Sequence, residues 1–239
     1  MILPSPSDAK PRSGIPLDFQ DSKTLPPVLE YPNEKPSSPL SPPRYRSIRR
    51  PTTSITYLFS PLPSNSMLLA PPADVTEVHQ RPYHISVSLN CFTPTSYITI
   101  IRKNSWDGEL VGDFELGANV RNPGTLCLRG NEYPISELLT SQFNVFRTTW
   151  EWKVKSFGPD KPMMIFWDDY GGGGALSCYS TQDRDSSNLL AKFTPRTALR
   201  RQGQPLEPPK LLVTSVGHDL FDDILLSALV IERTRTAPS

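Results

Sequence analysis

The feature that most restricts how this chain can fold is the segment Asp219 to Arg233, fifteen residues without glycine or proline. Such a run favours helix. Asp219 is placed to cap its start, Asp222 and Asp223 sit where the helix dipole favours anions, and Arg233 stands at the far end. A helix on a protein surface keeps a polar stripe. Here Leu225, Leu226, Ala228, Leu229, Val230 and Ile231 point in every direction, so the helix has to be enclosed by other structure. At 1.5 Å per residue it spans roughly 22 Å, enough to thread a small barrel. The competing reading is a short helix from Asp219 followed by a buried strand over residues 228–232, suggested by β-branched Val230 and Ile231.

What could enclose it is written in the preceding residues. From Thr53 onward, β-branched and aromatic residues fall in short runs separated by Gly, Pro, Asn and Asp, the pattern of many short strands. The clearest is Thr149 to Lys155, where Trp150, Trp152 and Val154 share one face and the other face is polar, as on a sheet dry on one side only. Tyr97 to Lys103 and Glu109 to Leu116 flank Asn104-Ser105-Trp106-Asp107-Gly108, which predicts an antiparallel hairpin with Leu110, Phe114 and Leu116 pointing inward. Further strands are expected at residues 55–59, 67–69, 83–90, 125–129, 163–167, 175–180, 189–193 and 211–213, about eleven in all. The spacing leaves no room for helical crossovers, so the expected class is all-β with one buried helix.

The first fifty-odd residues are different. Twelve of the 27 prolines lie within residues 1–51, with one glycine, Gly14, and no tryptophan. Each proline removes a backbone donor and pushes its predecessor out of helical geometry, and the intervening residues offer little apolar area to offset chain entropy. Residues 1–52 are read as a disordered, proline-rich tail of polyproline II character, and residues 53–236 as one domain. In the tail, Pro39, Pro42 and Arg44 fit the P-x-x-P-x-R form of an SH3-type ligand. Ser5, Ser38, Ser41 and Ser60 each precede a proline, and phosphate on Ser41 would set negative charge beside Arg44.

Composition narrows the function classes. A net charge of +1 over 239 residues gives no footprint for bulk nucleic-acid binding. No apolar run approaches the ~20 residues of a membrane helix, and Met1-Ile2-Leu3-Pro4-Ser5-Pro6 has neither a basic start nor an apolar h-region. The expectation is a monomeric cytoplasmic or nuclear protein able to sit peripherally at membranes. Cys91, Cys127 and Cys178 form no paired or zinc-binding pattern and are expected to be buried thiols. His79, His84 and His218 stand in no metal-binding spacing, and His218-Asp219 reads as a helix entry rather than an acid–base pair. Asp168-Asp169 before four glycines lacks both the lysine of a phosphate-binding loop and the alternating carboxylates of a calcium loop, so it reads as a turn. No cofactor, metal or catalytic residue is expected. Lys153, Lys155 and Lys161 lie on or beside one polar strand face, and Arg196, Arg200 and Arg201 cluster after Phe193. Of these, Lys153, Lys155, Arg196, Arg200 and Arg201 are the candidate surface for anionic lipid headgroups.

The strand Glu109-Leu110-Val111-Gly112-Asp113-Phe114-Glu115, the turn Arg129-Gly130-Asn131-Glu132-Tyr133-Pro134-Ile135, Phe146-Arg147 leading into Trp150-Glu151-Trp152-Lys153, Leu189-Leu190-Ala191-Lys192-Phe193, and the closing His218 to Arg233 together resemble a fungal, mainly basidiomycete family, domain of unknown function 6593. The resemblance covers roughly residues 53–236. That family in turn looks like the tubby carboxy-terminal, LURP-one-related and phospholipid-scramblase group. The resemblance implies a closed antiparallel barrel around a hydrophobic carboxy-terminal helix, and a non-catalytic binding or scaffold module for anionic lipid, including phosphoinositides, or for protein. The competing function is a hydrolase or transferase with a pocket of unrecognised type, which convergent polar groups with displaced protonation would betray.

Overall fold

The computed structural model describes residues 51–73, 82–93, 95–117, 124–144, 147–155, 163–169, 174–196 and 207–236. All of them belong to one compact unit. The Pro39, Pro42, Arg44 motif and the tail up to residue 50 lie outside the described residues. The elements in chain order are β1 (Ile55–Leu62), β2 (Ser66–Ala70), β3 (Tyr83–Leu89), β4 (Ser96–Lys103), β5 (Leu110–Gly117), β6 (Thr125–Leu128), β7 (Asn131–Pro134), α1 (Ile135–Leu138), β8 (Leu139–Asn144), β9 (Arg147–Val154), β10 (Met163–Asp168), β11 (Leu176–Tyr179), β12 (Leu189–Thr194), β13 (Lys210–Val213) and α2 (Phe221–Thr236). The thirteen strands form one antiparallel sheet in the order β7-β6-β5-β4-β3-β2-β1-β13-β12-β11-β10-β9-β8.

Eleven strands stand where the short β-branched and aromatic runs placed them, and the other two carry no apolar alternation. β7 follows directly from β6 because Arg129 and Gly130 both take positive φ, 51° and 81°, the geometry of a two-residue hairpin turn that pairs Leu128 with Asn131. The segment 129–135 read as a turn therefore contains a strand. β8, Leu-Thr-Ser-Gln-Phe-Asn, is an edge strand paired only with β9. In β5 the inward expectation for Leu110 fails. The register steps from Ile101↔Gly112 to Arg102↔Leu110, leaving Val111 as an extra residue. That bulge reverses the alternation below it, so Val111 and Phe114 are buried and Leu110 is exposed.

The core is a single apolar cluster built round α2. Asp223, Ile224, Leu225, Leu226, Ser227 and Ala228 are consecutive and all buried. Six residues sweep more than one and a half turns, so the helix is covered on every side. Strands from both halves of the sheet do the covering. Tyr83 of β3 stacks on Phe221 at 4.9 Å between ring centres, and Tyr57 of β1 meets the same ring edge-on at 4.9 Å. From the other half, the indole N–H of Trp152 donates to Asp223 Oδ1 (3.1 Å) and that of Trp167 to Ser227 Oγ (2.9 Å). These bonds give the two polar residues inside the apolar helix a place in the core, since burying them unpartnered would be costly.

The helix continues to Thr236, which overturns the reading of a strand over 228–232. Asp219 sits within a 3₁₀ turn, Gly217–Leu220, that runs straight into α2. At the two ends of the strand order, β7 and β8 are joined by the single turn α1, and no ladder pairs them among the described residues. Of the cysteines only Cys178 is buried; Cys127 is half-buried and Cys91 is exposed in the β3–β4 connection, outside the sheet that would cover it. Burial pushes the Cys178 thiol well above its ordinary range, so it stays protonated.

Candidate functional site

An open groove of about 680 Å³ lies on the outer face of β2, β3 and β4. Its floor follows from strand register. Ser66 pairs with Ser86 and Ser86 with Ile100, while His84 pairs with Arg102. These residues alternate with the buried Ile85 and Ile101, so they face away from the core. One wall is the β1–β2 turn, Leu62, Pro63 and Ser64, where Ser64 and Asn65 take positive φ. The turn is held by Ser66 Oγ donating to the Pro63 carbonyl (2.6 Å) and Val87 N–H donating to the Asn65 carbonyl (3.0 Å).

The β4–β5 turn, Asn104 to Gly108, lines the groove as well, through Trp106 and Asp107. Arg102 Nη1 donates to the Gly108 carbonyl (3.0 Å), and Ser105 Oγ donates to Asp107 Oδ1 (2.6 Å). That hydroxyl holds the Asp107 carboxyl below its usual range, so it is charged at neutral pH. Gly108 is obligatory, for a Cβ there would lie 1.8 Å from the Lys103 carbonyl oxygen. Trp106 rides on this turn with 74% of its surface exposed, whereas Trp150, Trp152 and Trp167 are core residues. The groove thus offers a flat aromatic surface between a fixed guanidinium and a fixed carboxylate. Such a surface can contact flat apolar groups and charges of either sign. Sequence reading passed over it, although a tryptophan within a five-residue polar turn was a legible signal that its indole had no core to join.

Around the start of α2 lies a second polar group, and its bonds are structural. His218 Nδ1 donates to the Thr214 carbonyl (2.7 Å) while Nε2 meets the Tyr57 hydroxyl (3.1 Å). Tyr83 donates to Asp222 Oδ1 (2.9 Å), and Lys103 and Arg129 each approach Asp222 Oδ2 to 3.7 Å. Burial pushes both tyrosine phenols upward, with Asp222 adding to the effect on Tyr83, so both remain donors. Lys155 N–H completes the set by donating to Asp223 Oδ1 (3.1 Å). The bonds from Tyr57, Tyr83 and Lys103 tie the helix start to β1, β3 and β4. His218 serves the helix entry, as its position beside Asp219 implied.

The expected basic surface is divided. Lys153 is exposed on the outer face of β9, and the half-buried Lys155 places Nζ 4.9 Å over the Tyr133 ring. Thr149, Asp168, Ser177 and Lys192 are aligned across β9 to β12. Lys153 is four residues from that line toward the start of α2, while Thr194 is two residues from it the other way, about 20 Å apart along the strands. Arg196 lies past Thr194, so it does not join the two lysines. Arg200, Arg201 and Lys161 lie outside the described residues. Asp168 is buried and engaged by Arg184 Nε at 2.7 Å and Arg147 Nη1 at 3.9 Å, and Asp169 Oδ1 accepts the Thr148 N–H (2.8 Å). Both carboxylates anchor the sheet end.

Comparison of the chain with protein-family models, curated proteins and solved structures finds no match.

Proposed function

We propose that this domain is a non-catalytic binding module of the tubby-like kind, akin to the domain of unknown function 6593 family, that holds an extended peptide segment of a partner protein. In this reading the sheet closes into a barrel around α2. Support comes from the single turn α1 linking the two edge strands and from the helix's burial on all sides. A barrel filled by its own helix has its outer surface left for ligands.

The observation that carries the peptide reading is Trp106, exposed over an open groove between Arg102 and Asp107. Indoles bind proline rings and other flat apolar groups, and an open channel bearing both charge signs suits a chain that enters and leaves more than a compact anion. The tail motif Pro39, Pro42, Arg44 would add an SH3-type contact and make the whole chain a scaffold. The test is fluorescence anisotropy with labelled proline-rich peptides that carry one acidic and one basic residue. Trp106→Ala is expected to weaken binding roughly tenfold or more, the effect of losing a central aromatic anchor, and to leave the melting temperature unchanged. Failure of every such peptide to bind the wild-type chain contradicts the reading.

A further inference from the structure

The two end strands of the sheet differ in how their open edges are kept. β7, Asn131-Glu132-Tyr133-Pro134, carries an exposed glutamate and an exposed proline, which has no N–H to offer, and Lys155 Nζ lies 4.9 Å over its Tyr133 ring. Charge and proline are the usual guards of an edge against another strand. β8, Leu139-Thr140-Ser141-Gln142-Phe143-Asn144, has neither. Among the described residues it is paired on one side only, with β9. Thr140, Ser141, Gln142 and Phe143 are all exposed, Phe143 to 84%, so both faces of this stretch are wet.

The directions of its groups follow from the pairing with β9. Thr149 Oγ1 donates to the Gln142 carbonyl (3.4 Å), so that carbonyl faces β9. Alternation then turns the N–H and carbonyl groups of Ser141 and Phe143, and the Leu139 carbonyl, to the open edge. The Leu139 N–H is taken by the Ile135 carbonyl. Leu139 and Ser141 stand opposite Trp152 and Trp150, whose rings are buried, and Phe143 stands opposite Thr148, so the three lie on the inner face. Opposed residues of an antiparallel pair lie on the same side of a sheet. A second β8 centred on Ser141 therefore sets Phe143 against Leu139 and Thr140 against Gln142, each twice. Phe143 gains in this way the apolar cover that its own chain does not give it. No charge in the strand opposes the approach. Glu151, opposite Thr140 on β9, would stand three strand spacings from its copy, at least about 14 Å and beyond the ~8 Å screening length.

We propose that β8 pairs antiparallel with β8 of a second copy of this chain, about a two-fold axis at Ser141, joining the two sheets into one. Ser141 of each copy exchanges backbone bonds with the other, and the Phe143 N–H donates to the Leu139 carbonyl of the other copy. Such a contact closes on itself, and the guarded edge at β7 stops further growth. In the barrel reading above, the seam between β7 and β8 is then spanned by α1 without a ladder. The surface shares no residue with the groove at Trp106 and goes beyond the peptide-binding reading. It replaces the monomer expected from the sequence. One short strand per copy buries less than a standard interface, so the dimer is expected to be weak, with a Kd of about 10 μM or above.

The test is sedimentation velocity of the full chain from about 1 to about 300 μM, where the wild type should pass from monomer to dimer. Ser141→Lys and Ser141→Asp each set like charges face to face at the axis, and each should remain monomeric throughout. Ser141 is exposed, so neither should change the melting temperature. Their equimolar mixture should dimerise, because the lysine of one then meets the aspartate of the other. Phe143→Ala should weaken the dimer roughly tenfold. Trp106→Ala should dimerise as wild type does, and the Ser141 variants should bind the peptides of the preceding test unchanged, so the two readings fail separately. A wild type still monomeric at about 300 μM overturns the proposal and leaves this edge to a strand of a different protein. A dimer that Ser141→Lys leaves intact, or a mixture of the two charged variants that stays monomeric, overturns it as well.

Discussion

Leu225→Asp is expected to yield no folded domain. Leu225 is fully buried in the stretch of α2 that strands cover on every side, and the two polar groups already there, Asp223 and Ser227, are bonded to Trp152 and Trp167. A new carboxylate would find no comparable donors, and its desolvation costs several kcal/mol against a total stability of about 5–15 kcal/mol. Leu225→Met, which keeps the volume and adds no charge, should cost less than about 1.5 kcal/mol. The measurement is soluble yield followed by thermal unfolding monitored by circular dichroism. A soluble aspartate variant with a cooperative transition near that of wild type would show that the helix has room or water beside it.

The second large effect is expected at Gly217, where the chain enters the helix. A Cβ there would sit 2.2 Å from the Leu190 carbonyl oxygen of β12, and backbone cannot give way as a side-chain tip can. The approach is locked by Thr214, whose N–H donates to Leu190 O (2.9 Å) and whose hydroxyl accepts the Gly217 N–H (3.2 Å). Gly217→Ala must separate the helix entry from β12 and disturb those bonds together, for a cost of about 3 kcal/mol or more. Denaturant unfolding of the variant measures it. A loss within about 0.5 kcal/mol would mean that the entry turn shifts freely.

The parts legible in the sequence were those dictated by a single element's own pattern. Leu225, Leu226, Ala228, Leu229, Val230 and Ile231 announced enclosure because they left no polar stripe, and Trp150, Trp152 and Val154 announced their face because β9 is dry on one side. What escaped depended on pairing between elements. β7 and β8 are edge strands, wet enough to lack alternation, and exist because a positive-φ turn and the neighbour β9 hold them. The bulge at Val111 is a property of the β4–β5 register, so Leu110 was placed on the wrong face. Cys91 was assigned to the interior because thiols usually go there, yet its position past the end of β3 leaves it outside. Of the candidate basic surface, Arg200 and Arg201 lie outside the described residues. Lys153 and Arg196 looked close because their strands belong to one sheet, and only register shows them at opposite ends. Trp106 is a candidate because its turn leaves the indole exposed, and the polar run Asn104 to Gly108 already signalled that it had no core to join.

With Asp223 to Ala228 all buried against one sheet, α2 is expected not to open unless the sheet does. Native-state hydrogen exchange, followed by mass spectrometry, tests it most directly. The amides of residues 223–231 should be the slowest in the chain, exchanging together with β1, β9 and β10 at the free energy of global unfolding and with the same denaturant dependence. Faster exchange of α2 than of those strands, with little dependence on denaturant, would show a helix that detaches from an intact sheet and would contradict the account.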